Sequence, residues 1–309
     1  MVNDRSRRDF LKASAVGAAG LALPFTAATA SAAGARGVGP ANRAGHAVHA
    51  AHGPALPIVG AEGAVRVGVA SYSLREFPRD YVLQAMRELR TPYINIKSFH
   101  LPYESSPEQL AAGRREFEDA GLQIVGGGTI TLRTDTDDDM RPYFEYARLS
   151  GMPLMVIAPT AQTMPRIERF VREYDIKVAV HVHGPTDEHF PGPQDVLPVI
   201  EDMDPRVGIC VDVGHTARTG IGLVEVLEMC GPRALDIHIK DLRDLTSVAS
   251  QCIVGEGNIP IAAIFHQLEK MSYSGYVNLE YEIDADDPLP GMKQSFAYMR
   301  GVLAGMESA

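Results

Sequence analysis

The sequence predicts a single (β/α)8 barrel, and three observations carry that expectation. Short apolar runs of strand length recur eight times, amphipathic helical patterns separate them, and histidines and acidic residues gather where the runs end. Strands covered on both faces read as nearly continuous Val, Ile and Leu, and the loops after the strands form the face where this fold builds its chemistry. A doubly wound open sheet shares the alternation and is the competing architecture.

The runs are "RVGVASYS" (66–73), "YINIKSF" (93–99), "QIVGGGTI" (123–130), "PLMVIAP" (153–159), "KVAVHVH" (177–183), "VGICVDV" (207–213), "ALDIHIK" (234–240) and "YVNLEYE" (276–282). Between them lie helical patterns such as "RDYVLQAMRELR", "SPEQLAAGRREFEDAG", "DDDMRPYFEYARLSG", "TMPRIERFVREYD" and "IPIAAIFHQLEKM". Several open on Ser, Asp or Thr near Pro or Glu and several close on Gly, which is the chemistry that starts and stops helices. The triplet "GGG" at 126–128 lacks the strand–turn–helix setting of a dinucleotide fingerprint. It reads as tight strand packing or as backbone close to a ligand.

At 309 residues and 45% hydrophobic content the chain can bury a sizeable core, and its formal net charge of −10 offers no basic footprint for nucleic acid. The three cysteines, Cys210, Cys230 and Cys252, contain no C-x-x-C and form neither a zinc knuckle nor an evident disulfide framework. The N-terminus has a different texture. "SRRDFLK" at 6–12 runs into "ASAVGAAGLALPFTAATASAAGA", which resembles a twin-arginine export signal with cleavage after Ala32. Residues 33–64 are Ala-, Gly- and Pro-rich and read as a linker; His46, His49 and His52 within it read as solvated. The barrel is expected over 65–309. The expected mature protein is soluble, has no stable membrane anchor, and is periplasmic or extracellular after export in the folded state.

Within "VAVHVHGP", His181 and His183 are two apart, so a strand would lean both rings to one face. His100 follows the second run, Asp212 and His215 end the sixth, His238 the seventh and Glu280 the eighth, whereas His266 falls mid-helix and reads as a surface residue. Imidazoles and carboxylates converging from several strand ends make either a divalent metal site or a buried ion network. Burying such charges without a metal costs several kcal/mol per ion, so one divalent ion is expected. Mixed nitrogen and oxygen donors suit Mn²⁺, the favoured ion, or Co²⁺, Zn²⁺, Fe²⁺ or Mg²⁺, better than Ca²⁺.

The ordered set "VDVGHT", "DIHIKD", "GEGNIP" and "GYVNLEYE" resembles the sugar phosphate isomerase/epimerase superfamily of xylose isomerase-like barrels, and the likeness covers nearly the whole of residues 65–305. It implies one divalent cation held by a strand glutamate, the Asp of D-x-x-H, a following strand histidine and the last-strand glutamate. By position these are Asp212, His238 and Glu280, with His215 facing substrate or metal. Where many relatives read E-N-H-G this chain reads H-V-H-G, so His181 takes the glutamate's place as fourth ligand and His183 keeps the second position. An imidazole ligates but offers no second carboxylate oxygen as a base while bound, which puts the usual pair of acid/base glutamates in doubt.

Glu280 is therefore the expected base, with Lys97 and His183 as further catalytic candidates; Lys97 also fits a structural ion pair. His100, His215, Lys240 and Arg243 are candidate substrate contacts, and Glu256 reads as shaping its loop. The expected function is an exported, metal-dependent sugar or keto-sugar isomerase or epimerase working through an enediolate. A lyase or hydratase on 3-keto-glycosides and a non-catalytic carbohydrate-binding barrel are the alternatives. The expected partner is a small sugar or keto-sugar, and a homo-oligomer is compatible with the sequence. Endonuclease-IV-like DNA repair shares the fold, but acidity, the export signal and too few ligands argue against it.

Overall fold

The computed structural model describes residues 65–308, so the expectations for the export signal and linker, with their boundaries at 32 and 64, lie outside the described residues. All eight anticipated runs form strands. β1 (Arg66–Ala70) leads through a 3-10 turn (Ser71–Leu74) to α1 (Arg79–Leu89), and β2 (Tyr93–Ile96) to α2 (Pro107–Asp119). β3 (Gln123–Leu132) precedes α3 (Asp137–Leu149), and β4 (Leu154–Pro159) precedes α4 (Met164–Tyr174). β5 (Lys177–His181) precedes α5 (Pro193–Ile200), and β6 (Val207–Asp212) is followed by α6 (Val213–Ala217) and α7 (Leu223–Cys230). β7 (Ala234–Ile239) leads to a small antiparallel ribbon, Asp241–Leu242 with Gln251–Cys252, and then to α8 (Ile261–Lys270). β8 (Tyr276–Leu279) precedes the long α9 (Leu289–Glu307).

Every neighbouring pair of strands is parallel, and β1 closes on β8 with Arg66 opposite Tyr276 and Val69 opposite Leu279. Closure settles the choice between barrel and open sheet. Most of the apolar core lies between strands and helices, where Phe117, Phe144, Phe170, Phe265 and Phe296 are fully buried. A smaller cluster of Leu154, Val156, Ala179 and Cys210 packs separately, with Leu235 against it. Helix starts follow the sequence chemistry: Ser106 and Gln109 form a reciprocal capping box at α2, and Thr136 caps α3. The glycine triplet is packing. A side chain on Gly128, which has φ +130°, would strike the Val156 carbonyl of β4, and one on Gly127 would meet Met152 and the Ile96 carbonyl.

The runs outlast the strands at their C-terminal ends. β5 stops at His181, so His183 stands in the following loop, and β8 stops at Leu279, one residue before Glu280. The polar residues that interrupt the apolar patterns thus sit where strand pairing gives way to loop, at the mouth of the barrel.

Candidate active site

Four adjacent strands each deliver one donor to the mouth. His181, Asp212, His238 and Glu280 are all buried, and one ligating atom from each lies within 4.8 Å of the others, a group able to hold a metal ion. His181 Nε2 is 3.2 Å from His238 Nδ1 and 3.7 Å from Asp212 Oδ2, while His238 Nδ1 is 3.3 Å from Glu280 Oε2. Asp212 Oδ2 is fully buried and has the Lys240 ammonium 2.9 Å away. The two imidazoles and two carboxylates of this group suit a divalent transition ion or zinc. Cys210 Sγ also lies within reach of the same two imidazoles, and burial pushes its thiol up to about 12.

Two ammonium groups balance the carboxylates. Lys240 Nζ is 2.9 Å from Asp212 Oδ2 and 3.0 Å from both Glu280 Oε2 and Glu282 Oε1, and Lys97 Nζ is 3.5 Å from Glu280 Oε1. Burial alone would raise Glu280, but Lys240, His238 and Lys97 outweigh it and hold the carboxyl well below its usual range. Burial works against the charge on Lys240 too, yet Asp212, Glu282 and Glu280 keep it firmly protonated. Burial, then the neighbouring His183 and His238, depress His181, leaving the neutral imidazole that ligation requires. Glu282 is raised by burial and by Glu280 and Asp212, against the pull of Lys240.

The D-x-x-H spacing has a local cause. Asp212 caps α6 by accepting from the His215 backbone N–H at 2.7 Å, which sets the His215 ring 5.7 Å from the His181 ring. Burial lowers His215 to about 4. The His183 ring packs 4.5 Å from that of His181, on one side as strand alternation predicts, and its Nδ1 bonds Asp187 Oδ2 at 2.9 Å. Arg218 donates to the His183 carbonyl and to the His215 ring. A pocket at the mouth is lined by His215, Arg218, Lys240, Gln251 and Glu282 among others.

Of the residues singled out from sequence, the structure brings Lys97, His181, Asp212, His238, Lys240 and Glu280 together, with His183 and His215 at their edge. Two are placed elsewhere. His100 is a correction: only 1% exposed, its ring spans Ser71 Oγ (3.0 Å) and the carbonyls of Leu74 (3.1 Å) and Phe77 (3.2 Å), bracing the loop after β1. Its ring nitrogens are spent on that loop, which removes it as a substrate contact. Arg243 stands outside the cluster: its side chain is 62% exposed and pairs with Glu256 at 2.6 Å. The G-x-G turn is held instead by Asp241, which accepts from Gly255, Gly257 and Ile259 N–H.

Sequence reasoning passed over Glu282, Asp236, Asp187 and Arg218. Glu282 is two residues beyond Glu280 and Asp236 two before His238, so strand alternation carries a signal for both. Asp187 and Arg218 lie in a loop and just after a short helix, where no period marks them.

The family described as xylose isomerase-like TIM barrel matches residues 99–302, two thirds of the sequence. The chain belongs to that family. Residues 6–24 match the twin-arginine translocation signal, which indicates export. Among curated proteins, this family member is 22% identical over 277 residues to the inosose dehydratase of Clostridium beijerinckii, covering 79% of this chain and 89% of that protein. Its fold is similar to that of the IOLI protein with a binding zinc atom, at a TM-score of 0.65 and 15% identity over 78% of this chain and 99% of that one. D-psicose 3-epimerase in the presence of D-fructose gives a TM-score of 0.61 at 16% identity, over 77% and 99%. No helix among the described residues is long and apolar enough to cross a membrane.

Proposed function

We propose that this xylose isomerase-like barrel is a metal-dependent lyase or dehydratase that removes a proton α to the carbonyl of a keto-sugar or keto-cyclitol and expels the β-oxygen. The observation that carries this reading is one-sided. Glu280 is clasped by Lys97 and Lys240, the neighbouring carboxylate of Glu282 lies on the same side through Lys240, and the strand-five position is an imidazole. Epimerisation needs proton transfer on two faces of a carbon, whereas elimination needs one base and a nearby acid. The similarity to inosose dehydratase supports the same choice.

His181, Asp212, His238 and Glu280 would hold the ion, which when bound supplies polarisation of the substrate carbonyl and lowers the cost of the enolate. Glu280 divides its two oxygens. Oε2 faces His238, the ligand side, and Oε1 faces Lys97, so Oε1 is the atom that takes the α-proton. The β-carbon–oxygen bond then breaks with its electron pair on oxygen, and the Lys97 ammonium, which already contacts Oε1, protonates the leaving group. His215, lining the mouth, orients a substrate hydroxyl, and Lys240 holds Asp212, Glu280 and Glu282 in place. Cleavage after Ala32 and a linker to residue 64 would release the barrel into the periplasm or medium.

Incubating manganese- or zinc-loaded protein with inosose and with 3-keto-glycosides in D₂O tests the reading. The expected result is a dehydrated product or released aglycone. Solvent deuterium α to the carbonyl with the carbon–oxygen bond intact would replace elimination by isomerisation or epimerisation. That second reading has its own support: the His183 ring, 37% exposed and bonded only through Nδ1, leaves Nε2 available on the other side of the cluster.

A further inference from the structure

Asp236 is a buried carboxylate that the mechanism above does not use. It lies on β7 two residues before His238, so both side chains take the same face of the strand. Only 3% exposed, it accepts from Asn95 of β2 at 3.0 Å and from Asn278 of β8 at 2.7 Å, and the Cys210 thiol of β6 approaches at 3.8 Å. Its Oδ2 is 3.5 Å from His238 Nε2, a buried nitrogen with no aligned hydrogen bond, while His238 Nδ1 faces His181 and Glu280 on the opposite edge of the ring. Side chains from three other strands thus hold one carboxylate directly behind one candidate ligand.

We propose that Asp236 is a positioning residue that keeps the Nε2 proton of His238 and thereby commits Nδ1 to the metal. The inference rests on the reading of His181, Asp212, His238 and Glu280 as a metal centre. A ligating imidazole is normally oriented by an acceptor on its other nitrogen, which fixes the tautomer and raises ligand basicity. Asn95 and Asn278 turn their amide nitrogens toward Asp236, so the carboxylate cannot swing away and remains aimed at the ring. The arrangement also explains an aspartate in the barrel interior, where an apolar side chain would otherwise be expected.

The test is zinc affinity, measured by competition against a chelator on the full chain, for wild type, Asp236→Asn, His238→Gln and the double variant. Asp236→Asn is expected to weaken zinc about 10- to 100-fold while one ion per chain is retained. In the His238→Gln background the same substitution should add nothing. An unchanged affinity, or the same loss in both backgrounds, overturns the proposal, because a merely structural aspartate would not act through His238. Nitrogen-15 spectra of histidine-labelled wild-type protein loaded with zinc give a measurement that needs no variant: Nδ1 ligated and Nε2 protonated is the expected pattern, and ligation through Nε2 overturns it. If wild type takes up neither zinc nor manganese, the metal-centre reading falls by itself. The zinc-free spectrum then decides: a hydrogen-bonded, slowly exchanging Nε2 proton upholds the role of Asp236, and its absence overturns it.

Discussion

The two halves of the barrel end their strands in different ways. β5 and β6 finish on His181 and Asp212, β7 carries His238 as its penultimate residue, and β8 is followed at once by Glu280. β1 to β4 finish on Ala70, Ile96, Leu132 and Pro159, and beyond them only Lys97 reaches the cluster. The polar residues of the first half serve the backbone instead: Lys97 N–H donates to Ser71 Oγ, which bonds the His100 ring, which in turn bonds the Leu74 and Phe77 carbonyls. Ser73 ties this loop to β8 by donating to the Leu279 carbonyl and accepting from Tyr281 N–H. One half concentrates imidazoles and carboxylates able to hold a cation, and the other builds a wall that aims a single ammonium at Glu280. Identical topology around the ring therefore says little about which loops carry chemistry.

The contrast breaks most severely at Asp212. Asp212→Ala is expected to abolish stoichiometric metal in purified protein and to free the α6 N-terminus, and unchanged metal content by elemental analysis would refute the ligand assignment. Glu280→Gln comes next. An oxygen remains beside His238 while the base is lost, so metal should largely stay as turnover falls about 10²- to 10⁴-fold. Turnover near wild type in a metal-replete assay would move proton abstraction to His183.

Lys97→Met asks whether the first half contributes chemistry at all. Removing a charge aimed at the reacting atoms should cut kcat about 10²- to 10³-fold with metal content intact. A change in KM alone would leave Lys97 a binding residue. The smallest effect on function belongs to His100→Leu, which should leave metal and kcat unaltered. It should cost about 1–3 kcal/mol of stability by stranding buried partners, read from urea unfolding. The pH dependence adds a sign. Burial lowers His100, against the pull of the Leu74 and Phe77 carbonyls, so the unfolded chain takes up the proton first as pH falls. Its contribution is complete above about pH 6.5 and declines below that. The stability difference between wild type and His100→Leu should therefore be larger at about pH 8 than at about pH 5; a constant difference would mean that folding leaves the affinity of the ring for its proton unchanged.

The comparison of halves also marks how far the sequence could be read. Strand and helix identities were legible because they depend on neighbours three or four residues away: apolar runs, Ser106 and Thr136 caps, and the terminating glycines. The clustered imidazoles and carboxylates of β5 to β8 were legible because each interrupts an apolar run at the end where this fold places its loops. His100 satisfied the same rule and broke it, since following a strand does not say which way a ring turns. That direction was chosen by Ser71, Leu74 and Phe77 from the preceding loop. Glu282 and Asp236 share a strand face with residues that were found, but their importance depends on Lys240, Asn95 and Asn278, which arrive from other strands.

The sequence by itself determined the eight strand–helix units and the residue types at the mouth, because each is a property of local pattern. Tertiary structure alone decided that Lys240 bridges Asp212, Glu280 and Glu282, that Lys97 reaches Glu280, and that Asp236 stands behind His238. The contacts of Lys97 and Lys240 with Glu280 and Glu282 exist only once β8 has closed against β1 and β7. Electrostatic and hydrogen-bond energies depend on separations of a few ångströms, and between residues on different strands such separations are set by the closed barrel, not by spacing along the chain.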